Sequence, residues 1–322
     1  MKRIGFLGPN GTFSEKALRS LPEADTAESV PYRAVDVALQ ALRDGEIDGA
    51  VVPIENSVEG GVPATLDALV SGTPLVVVAE MVVPITFVLA VRPGLSLADV
   101  KSVGTHPHAW AQIRGWVGEN LDDAMFVPTT STAASAVDLA RRDDAGDLID
   151  LPYEATACLD IAAIDNGLHI LADDIGDNKD AVTRFVLVAR PGRLPEPTGR
   201  DKTTVTLFQE HDKPGALLEL LEQFKTRGIN LTRLESRPTG VSLGKYCFSI
   251  DLEGHVLEER VGEALAGLKR ICLDVRFLGS YPRADHGVGH QIPDGFDDYA
   301  YQSAARWLLA VRGGRSPIRA LS

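Results

Sequence analysis

The sequence predicts an α/β protein in two parts, and three observations predict it. From Arg3 to Val188, short apolar runs ending at glycines or polar islands alternate with amphipathic stretches, the order of strands and helices around a sheet. From Thr203 to Ser280 the order becomes strand, helix, strand, strand, helix, strand, the split βαβ plan of ferredoxin-like domains. Between the two, Pro191 to Arg200 holds three prolines and two glycines, the composition of a linker.

Arg3 to Leu7 reads as a buried strand ending at Gly8. Thr12 and Glu15 have capping-box spacing and open a helix to about Leu21. Val35 to Arg43 is a second helix closed by Gly45, and Gly49 to Ile54 a second strand. Pro63 suits the first turn of a helix ending near Gly72. Leu75 to Val83 and Ile85 to Val91 are further strands, and Val100 to Gly104 a short one. Helices are expected over Ala109 to Leu121, Ala133 to Arg142 and Pro152 to Ile164, the last closed by Asn166-Gly167. Asp143 to Asp150 is acidic and matches no element. Leu168 to Leu171 is a short strand, and the stretch from Asn178 to Val188 then returns the chain to the sheet. In the second part, strands are expected at Thr203 to Phe208, Ile229 to Ser236, Lys245 to Leu252 and Val275 to Ser280. Helices are expected at Gly215 to Arg227 and Leu257 to Lys269, and an amphipathic segment at Tyr299 to Val311.

A chain of 322 residues exceeds one compact core. Its net charge of −13 argues against nucleic acid or an anionic membrane as the main partner, though local cations and helix N-termini can still bind a small anion. Cys158, Cys247 and Cys272 are odd in number and without CxxC spacing, which suits reduced thiols better than disulfides or a metal site. The apolar run after Met1-Lys2-Arg3 is too short for a signal peptide, and no run approaches membrane-spanning length. A cytoplasmic protein is expected.

Three polar islands follow apolar runs and carry the candidate chemistry. Gly8-Pro9-Asn10-Gly11-Thr12-Phe13-Ser14 precedes a capped helix and can present N–H groups and hydroxyls to an anion; it reads equally well as an ordinary strand–helix turn. Glu55-Asn56-Ser57 places an acceptor, an amide and a hydroxyl after a buried strand, or forms a locally bonded polar turn. Thr183-Arg184-Phe185 sets a hydroxyl, a guanidinium and a ring at the start of an apolar strand, a trio that packing does not require. Strand alternation puts Thr183 and Phe185 on one face and Arg184 on the other, so all three serve one pocket only if the strand bends. Thr130-Ser131-Thr132 is most simply an N-cap. His106 and His108 lack a third metal ligand, and His286 and His290 read as part of a glycine-rich tail.

Taken together, the islands resemble the prephenate dehydratase family over residues 1 to about 283. The resemblance rests on GPNGTFS (8–14), PIENSVEGG (53–61), His106-Pro107-His108-Ala109-Trp110-Ala111-Gln112, STAAS (131–135) and TRF (183–185). The downstream part is similar to an ACT domain, through Gly215-Ala216-Leu217-Leu218 and Glu235-Ser236-Arg237-Pro238.

The resemblance implies a catalytic region over 1–190, in two α/β lobes similar to the type 2 periplasmic-binding fold. Lobe 1 would take 1–84 and 175–190, lobe 2 85–174, followed by a linker at 191–202, an ACT domain at 203–282 and a C-terminal extension at 283–322. It implies decarboxylating dehydration of prephenate to phenylpyruvate in L-phenylalanine biosynthesis, a carbon–oxygen lyase reaction needing no cofactor and no metal. Thr183 would donate to the departing hydroxyl, Arg184 clamp a carboxylate and Phe185 wall the ring. Thr12, Ser14, Glu55, Asn56, Ser57, Ser131 and Thr132 would contact substrate. L-phenylalanine, as allosteric effector, would contact Gly215, Ala216, Leu217, Asn230, Glu235, Ser236, Arg237 and Pro238 at an ACT–ACT interface, which requires a homodimer or homotetramer. Asp180 stands where the family often has Asn, beside an anionic substrate. The rival readings are arogenate dehydratase and a two-lobed small-molecule binding protein without catalysis. No chorismate mutase region precedes Met1, so a bifunctional enzyme is not expected.

Overall fold

The computed structural model describes residues 1–58, 60–121, 123–209, 213–238, 246–284 and 291–315. It divides into two compact units, residues 1–68 with 81–190, and residues 69–80 with 191–322.

The first unit carries two sheets. Its elements begin β1 (Arg3–Leu7), α1 (Phe13–Arg19), β2 (Glu28–Tyr32), α2 (Val35–Asp44), β3 (Gly49–Asn56), β4 (Gly60–Gly61), α3 (Pro63–Val70) and β5 (Val76–Pro84), the last two only in part within this unit. They continue through β6 (Val88–Val91), β7 (Ser102–Thr105), α4 (Pro107–Ala111), α5 (Arg114–Asn120), β8 (Met125–Pro128) and α6 (Thr132–Ala140). β9 (Ala155–Cys158), α7 (Asp160–Asp165), β10 (His169–Ala172) and β11 (Val182–Ala189) complete it. One sheet has the order β2-β1-β3-β11-β5, and the other β10-β6-β9-β7-β8. β1 runs parallel to β2 and β3, whereas β11 returns antiparallel to β3. The second sheet is built on Leu89, Val91, Val103, Ala155 and Ala157, with Ala109 of α4, Ile113 between the helices and Val117 of α5 packed on it.

The second unit contains β12 (Asp201–Phe208), α8 (Ala216–Lys225), β13 (Leu231–Pro238), β14 (Tyr246–Glu253), α9 (Glu259–Ile271), β15 (Asp274–Pro282) and α10 (Asp298–Arg312). The sheet order β13-β14-β12-β15, antiparallel throughout, gives the expected βαββαβ domain. Leu220 and Phe224 of α8 and Val261, Ala264 and Leu268 of α9 seal its core. Gly279 has φ +135°, and a Cβ there would lie 2.2 Å from the Val77 carbonyl oxygen, so this close backbone approach requires glycine.

Several expectations are corrected. Pro152 to Ile164 is not one helix: Ala155–Cys158 is a fully buried strand between β6 and β7, followed by the short helix α7. Its Ala-rich composition hides the strand, because a strand buried on both faces lacks alternation. The helix expected over Ala109 to Leu121 breaks at Gln112–Ile113. Asp177 causes the break: its amide donates to the Gln112 carbonyl, and its carboxylate accepts from Gly115 and Trp116 N–H at 2.9 and 2.8 Å. Glu28–Tyr32 was not anticipated as a strand; it is an edge strand, where Pro31 is tolerated. The acidic 143–150 stretch is a tight turn in which the Asp143 carboxylate accepts from Ala145 and Asp147 N–H.

The linker is shorter than 191–202, because Asp201 and Lys202 are buried residues of β12. The Asp201 carboxylate is held by Thr198 and Gly199 N–H. Lys202 Nζ meets Glu80 Oε2 at 2.8 Å in a nearly dry pair, and 69–80 groups with the second unit and not with the rest of 1–84. The amphipathic tail segment is helical, capped by Asp297, and Trp307 and Val311 on it remain exposed. Glu59, His211, Asp212, Lys245, His286 and His290 lie outside the described residues.

Candidate active site

The start of β11 and the end of β3 are joined residue by residue. Ser57 N–H donates to the Val182 carbonyl, and Val182 N–H donates back to Ser57 Oγ at 3.0 Å. One pair further in, Asn56 and Thr183 are register partners, and Asn56 Nδ2 donates to Thr183 Oγ1 at 2.9 Å. Next, Glu55 faces Arg184, whose Nε donates to Glu55 Oε2 at 3.0 Å. The register then slips, so that Phe185 pairs with Pro53 and Ile54 is passed over. Alternation therefore separates the pairs: Asn56–Thr183 projects to one face and Glu55–Arg184 to the other.

The Asn56–Thr183 face opens into a cavity of about 390 Å³. Thr12, Ser14, Asn56, Ser131, Thr132 and Thr183 line it, and the structure thus brings six expected residues together. Glu55, Ser57, Arg184 and Phe185 are not in the lining. Arg184 is spent on Glu55, Ser57 closes the strand ladder, and Phe185 is a core residue at 2% exposure. The aromatic wall comes instead from Phe13 and Phe87, whose rings meet edge to face at 5.7 Å. Asp180 is exposed and outside the lining, and Lys179 pairs with Asp174.

Three helix caps, Thr12, His106 and Ser131, stand in the wall. Thr12 Oγ1 donates to the Leu7 carbonyl and accepts from Glu15 N–H, which is the N-cap half of the expected capping box; Glu15 Oε2 takes the preceding Gly11 N–H at 2.6 Å in place of that of Thr12. Gly11 itself has φ +79° and fits under Ala162, where a Cβ would come within 3.1 Å. Ser131 Oγ accepts from Ala134 N–H at 2.9 Å, which leaves its proton available to donate. α6, running from this cap, directs its positive end at the same wall.

Sequence reasoning missed Arg33, and gave no site role to His106, His108 or Gln112, all of which line the cavity. Arg33 follows β2, the strand that was also missed. Gln112 was visible in the HP-x-A-x-AQ pattern, whereas Arg33 belongs to no motif.

The hydrogen-bond polarity is set by the backbone. Asn56 Oδ1 accepts from Val58 N–H at 2.8 Å, which turns Nδ2 toward Thr183. Thr183 Oγ1, already accepting, is free to donate its own proton. The arrangement is a polarised donor at a ring-sized cavity in whose wall, among the described residues, Arg33 is the one lysine or arginine and no carboxylate stands. Among the described residues, no group of three or more His, Cys, Asp or Glu could hold a metal ion, and no helix is long and apolar enough to cross a membrane.

The model of the prephenate dehydratase family matches residues 4–193, and that of the ACT domain matches 203–270. The chain belongs to the prephenate dehydratase family. The prephenate dehydratase of Amycolatopsis methanolica is 45% identical over 315 residues, covering 98% of this chain and 99% of that one. A crystal structure of prephenate dehydratase from Arthrobacter aurescens in complex with L-Phe is 54% identical, with a TM-score of 0.90, over 97% of this chain and all of that one. The family fold also reaches a structure described as a quorum-quenching acylase, GqqA, at 32% identity and TM-score 0.74, over 87% of this chain and 98% of that one.

Proposed function

We propose that this chain converts prephenate to phenylpyruvate, with Thr183 as the donor to the departing ring hydroxyl. The observation that carries the reading is the Val58–Asn56–Thr183 chain, which presents an O–H donor to a ring-sized cavity. In the reaction, the bond from C1 to its carboxylate breaks and releases CO2. The electron pair enters the ring, and the C4–O bond breaks as the ring becomes aromatic. The hydroxyl leaves with charge developing on oxygen and departs as water after taking a proton. A donor placed where charge develops lowers the barrier more than one that binds the ground state equally well. Thr183 is a weak acid, so its part is a hydrogen bond that strengthens along the reaction, with solvent restoring the proton balance. Phe13 and Phe87 would hold the ring, and Thr130, Ser131 and Thr132 at the α6 cap would receive anionic oxygen.

The second unit would be regulatory, binding L-phenylalanine as the A. aurescens relative does. Gly215, with φ +84°, is the N-cap of α8; Ala216 N–H is taken by the Lys213 carbonyl at 3.0 Å, and Leu217 N–H in the open first turn would be the group offered to a carboxylate. Asn230 precedes the edge strand β13, on which Glu235 takes contacts from both Arg233 and Arg237. Effector binding between β13 edges of two copies would make the enzyme a homodimer or a higher oligomer. Incubation with prephenate and separately with arogenate, with and without L-phenylalanine, tests reaction, substrate and regulation together. Release of phenylpyruvate, suppressed by L-phenylalanine, is expected; absence of turnover on prephenate would overturn the reading.

A further inference from the structure

We infer that Arg33 binds the side-chain carboxylate that the substrate keeps, and thereby selects a keto acid over its amino-acid counterpart. The inference rests on the proposed reaction and adds a residue to it that no motif contains.

The backbone fixes where Arg33 stands. β1 and β2 run parallel, with Leu7 opposite Tyr32, and Gly8 N–H donates to the Tyr32 carbonyl at 2.8 Å. A Cβ on Gly8 would lie 2.7 Å from Pro31 Cβ, so glycine lets the two segments close together. Arg33 is therefore held one residue past the paired strand ends, where α/β sheets bind ligands. It is exposed, lines the cavity with Thr183 and Asn56, and among the described residues is the only lysine or arginine to do so. Arg184, the cation expected there, is 3.0 Å from Glu55 on the other face.

Prephenate has two carboxylates with different fates. A cation on the departing carboxylate would stabilise charge that is lost as CO2 forms, and so would raise the barrier. A cation on the retained side-chain carboxylate binds ground state and transition state alike. Arg33 suits the second task, because a guanidinium can grip that carboxylate in a bidentate fashion. Arogenate differs only in carrying an ammonium beside the same carboxylate. With Arg33 close by and, among the described residues, no acid in the cavity wall to receive that ammonium, the keto acid is preferred.

Arg33→Ala, Arg33→Lys and Arg33→Glu test this, with prephenate and arogenate kinetics on each. Loss of a charge-assisted hydrogen bond predicts a roughly 10- to 100-fold higher KM for prephenate in Arg33→Ala, with kcat within about threefold. Arg33→Lys should recover part of the loss, and the prephenate-to-arogenate ratio of kcat/KM should fall from wild type through Ala to Glu. Equilibrium dialysis of phenylpyruvate, which bears only the retained carboxylate, supplies a readout independent of turnover. Its affinity should drop by a similar factor in Arg33→Ala. Equal phenylpyruvate binding in wild type and Arg33→Ala would overturn the inference, as would unchanged KM and selectivity. Failure of the wild type to consume prephenate would instead sink the proposed reaction, leaving the dialysis to decide on Arg33.

Discussion

An amide-to-acid exchange at Asn56 separates an oriented hydroxyl from a merely polar one. Asn56 Nδ2 gives its proton to Thr183 Oγ1 at 2.9 Å, so Thr183 must point its own proton elsewhere. In Asn56→Ala the supporting bond is lost but Thr183 can still donate. A neutral hydrogen bond of this kind contributes about 0.5–1.5 kcal/mol, which corresponds to a roughly 2- to 10-fold loss in kcat. Asn56→Asp keeps the shape and reverses the polarity: the carboxylate accepts from Thr183, and the leaving hydroxyl loses its donor. A preorganised donor at a developing oxyanion is worth about 10²–10³ in rate, so Asn56→Asp should approach Thr183→Val, and repulsion of the dianion should raise its KM as well. The assay is phenylpyruvate formation, with circular dichroism to confirm folding. Equal activity of Asn56→Asp and Asn56→Ala would refute the donor chain.

Three further outcomes are expected. Glu80→Gln takes the carboxylate from the buried Lys202 ammonium and should cost about 3–5 kcal/mol in a denaturant titration, whereas replacing Lys202 by Met as well should regain most of it. Burial pushes the Cys158 thiol up to about 12 and that of Cys272 up to about 11, so both should resist alkylation at pH 8 in the native protein and react once it is unfolded. Because the folded state keeps thiol protons that the unfolded chain sheds, their contribution to stability is complete below the free-thiol value of 9.0 and falls as pH rises toward those folded values; a thermal melt series across that range checks the sign. Gly215→Leu, at φ +84°, should abolish inhibition by L-phenylalanine while the enzyme still consumes prephenate; retained inhibition would move the effector site elsewhere.

Much of the fold was legible because its signals are local. Capping at Thr12, the apolar run of β3 and the βαββαβ order of the second unit are all read from neighbouring residues. The errors fall where long-range contacts decide. β9 is hidden because both of its faces are buried, and the α4–α5 break is imposed by Asp177 from far along the chain. Arg33 was invisible for the same reason: its position follows from the parallel pairing of β1 with β2, and β2 contains Pro31 and polar residues that disguise it. Phe13 and Phe87 meet across the cavity from separate elements, whereas Phe185, chosen for its place beside Thr183, lies in the core.

The TRF triplet shows how adjacency in sequence misleads about adjacency in a site. One strand cannot turn successive side chains to the same face, and here it does not: Thr183 meets Asn56 above the sheet and Arg184 meets Glu55 below it. The two cross-strand pairs act on different levels. Glu55–Arg184, with side chains 36% and 9% exposed, fixes β11 against β3. That register, with the slip after Arg184, decides whether Asn56 stands opposite Thr183 at all. Arg184 therefore holds the strand whose hydroxyl faces the cavity, and in the proposed reaction the carboxylate-binding cation is assigned elsewhere. Arg33, placed by β1 and β2 at the far side of the same sheet, is the cavity cation we assign to that task.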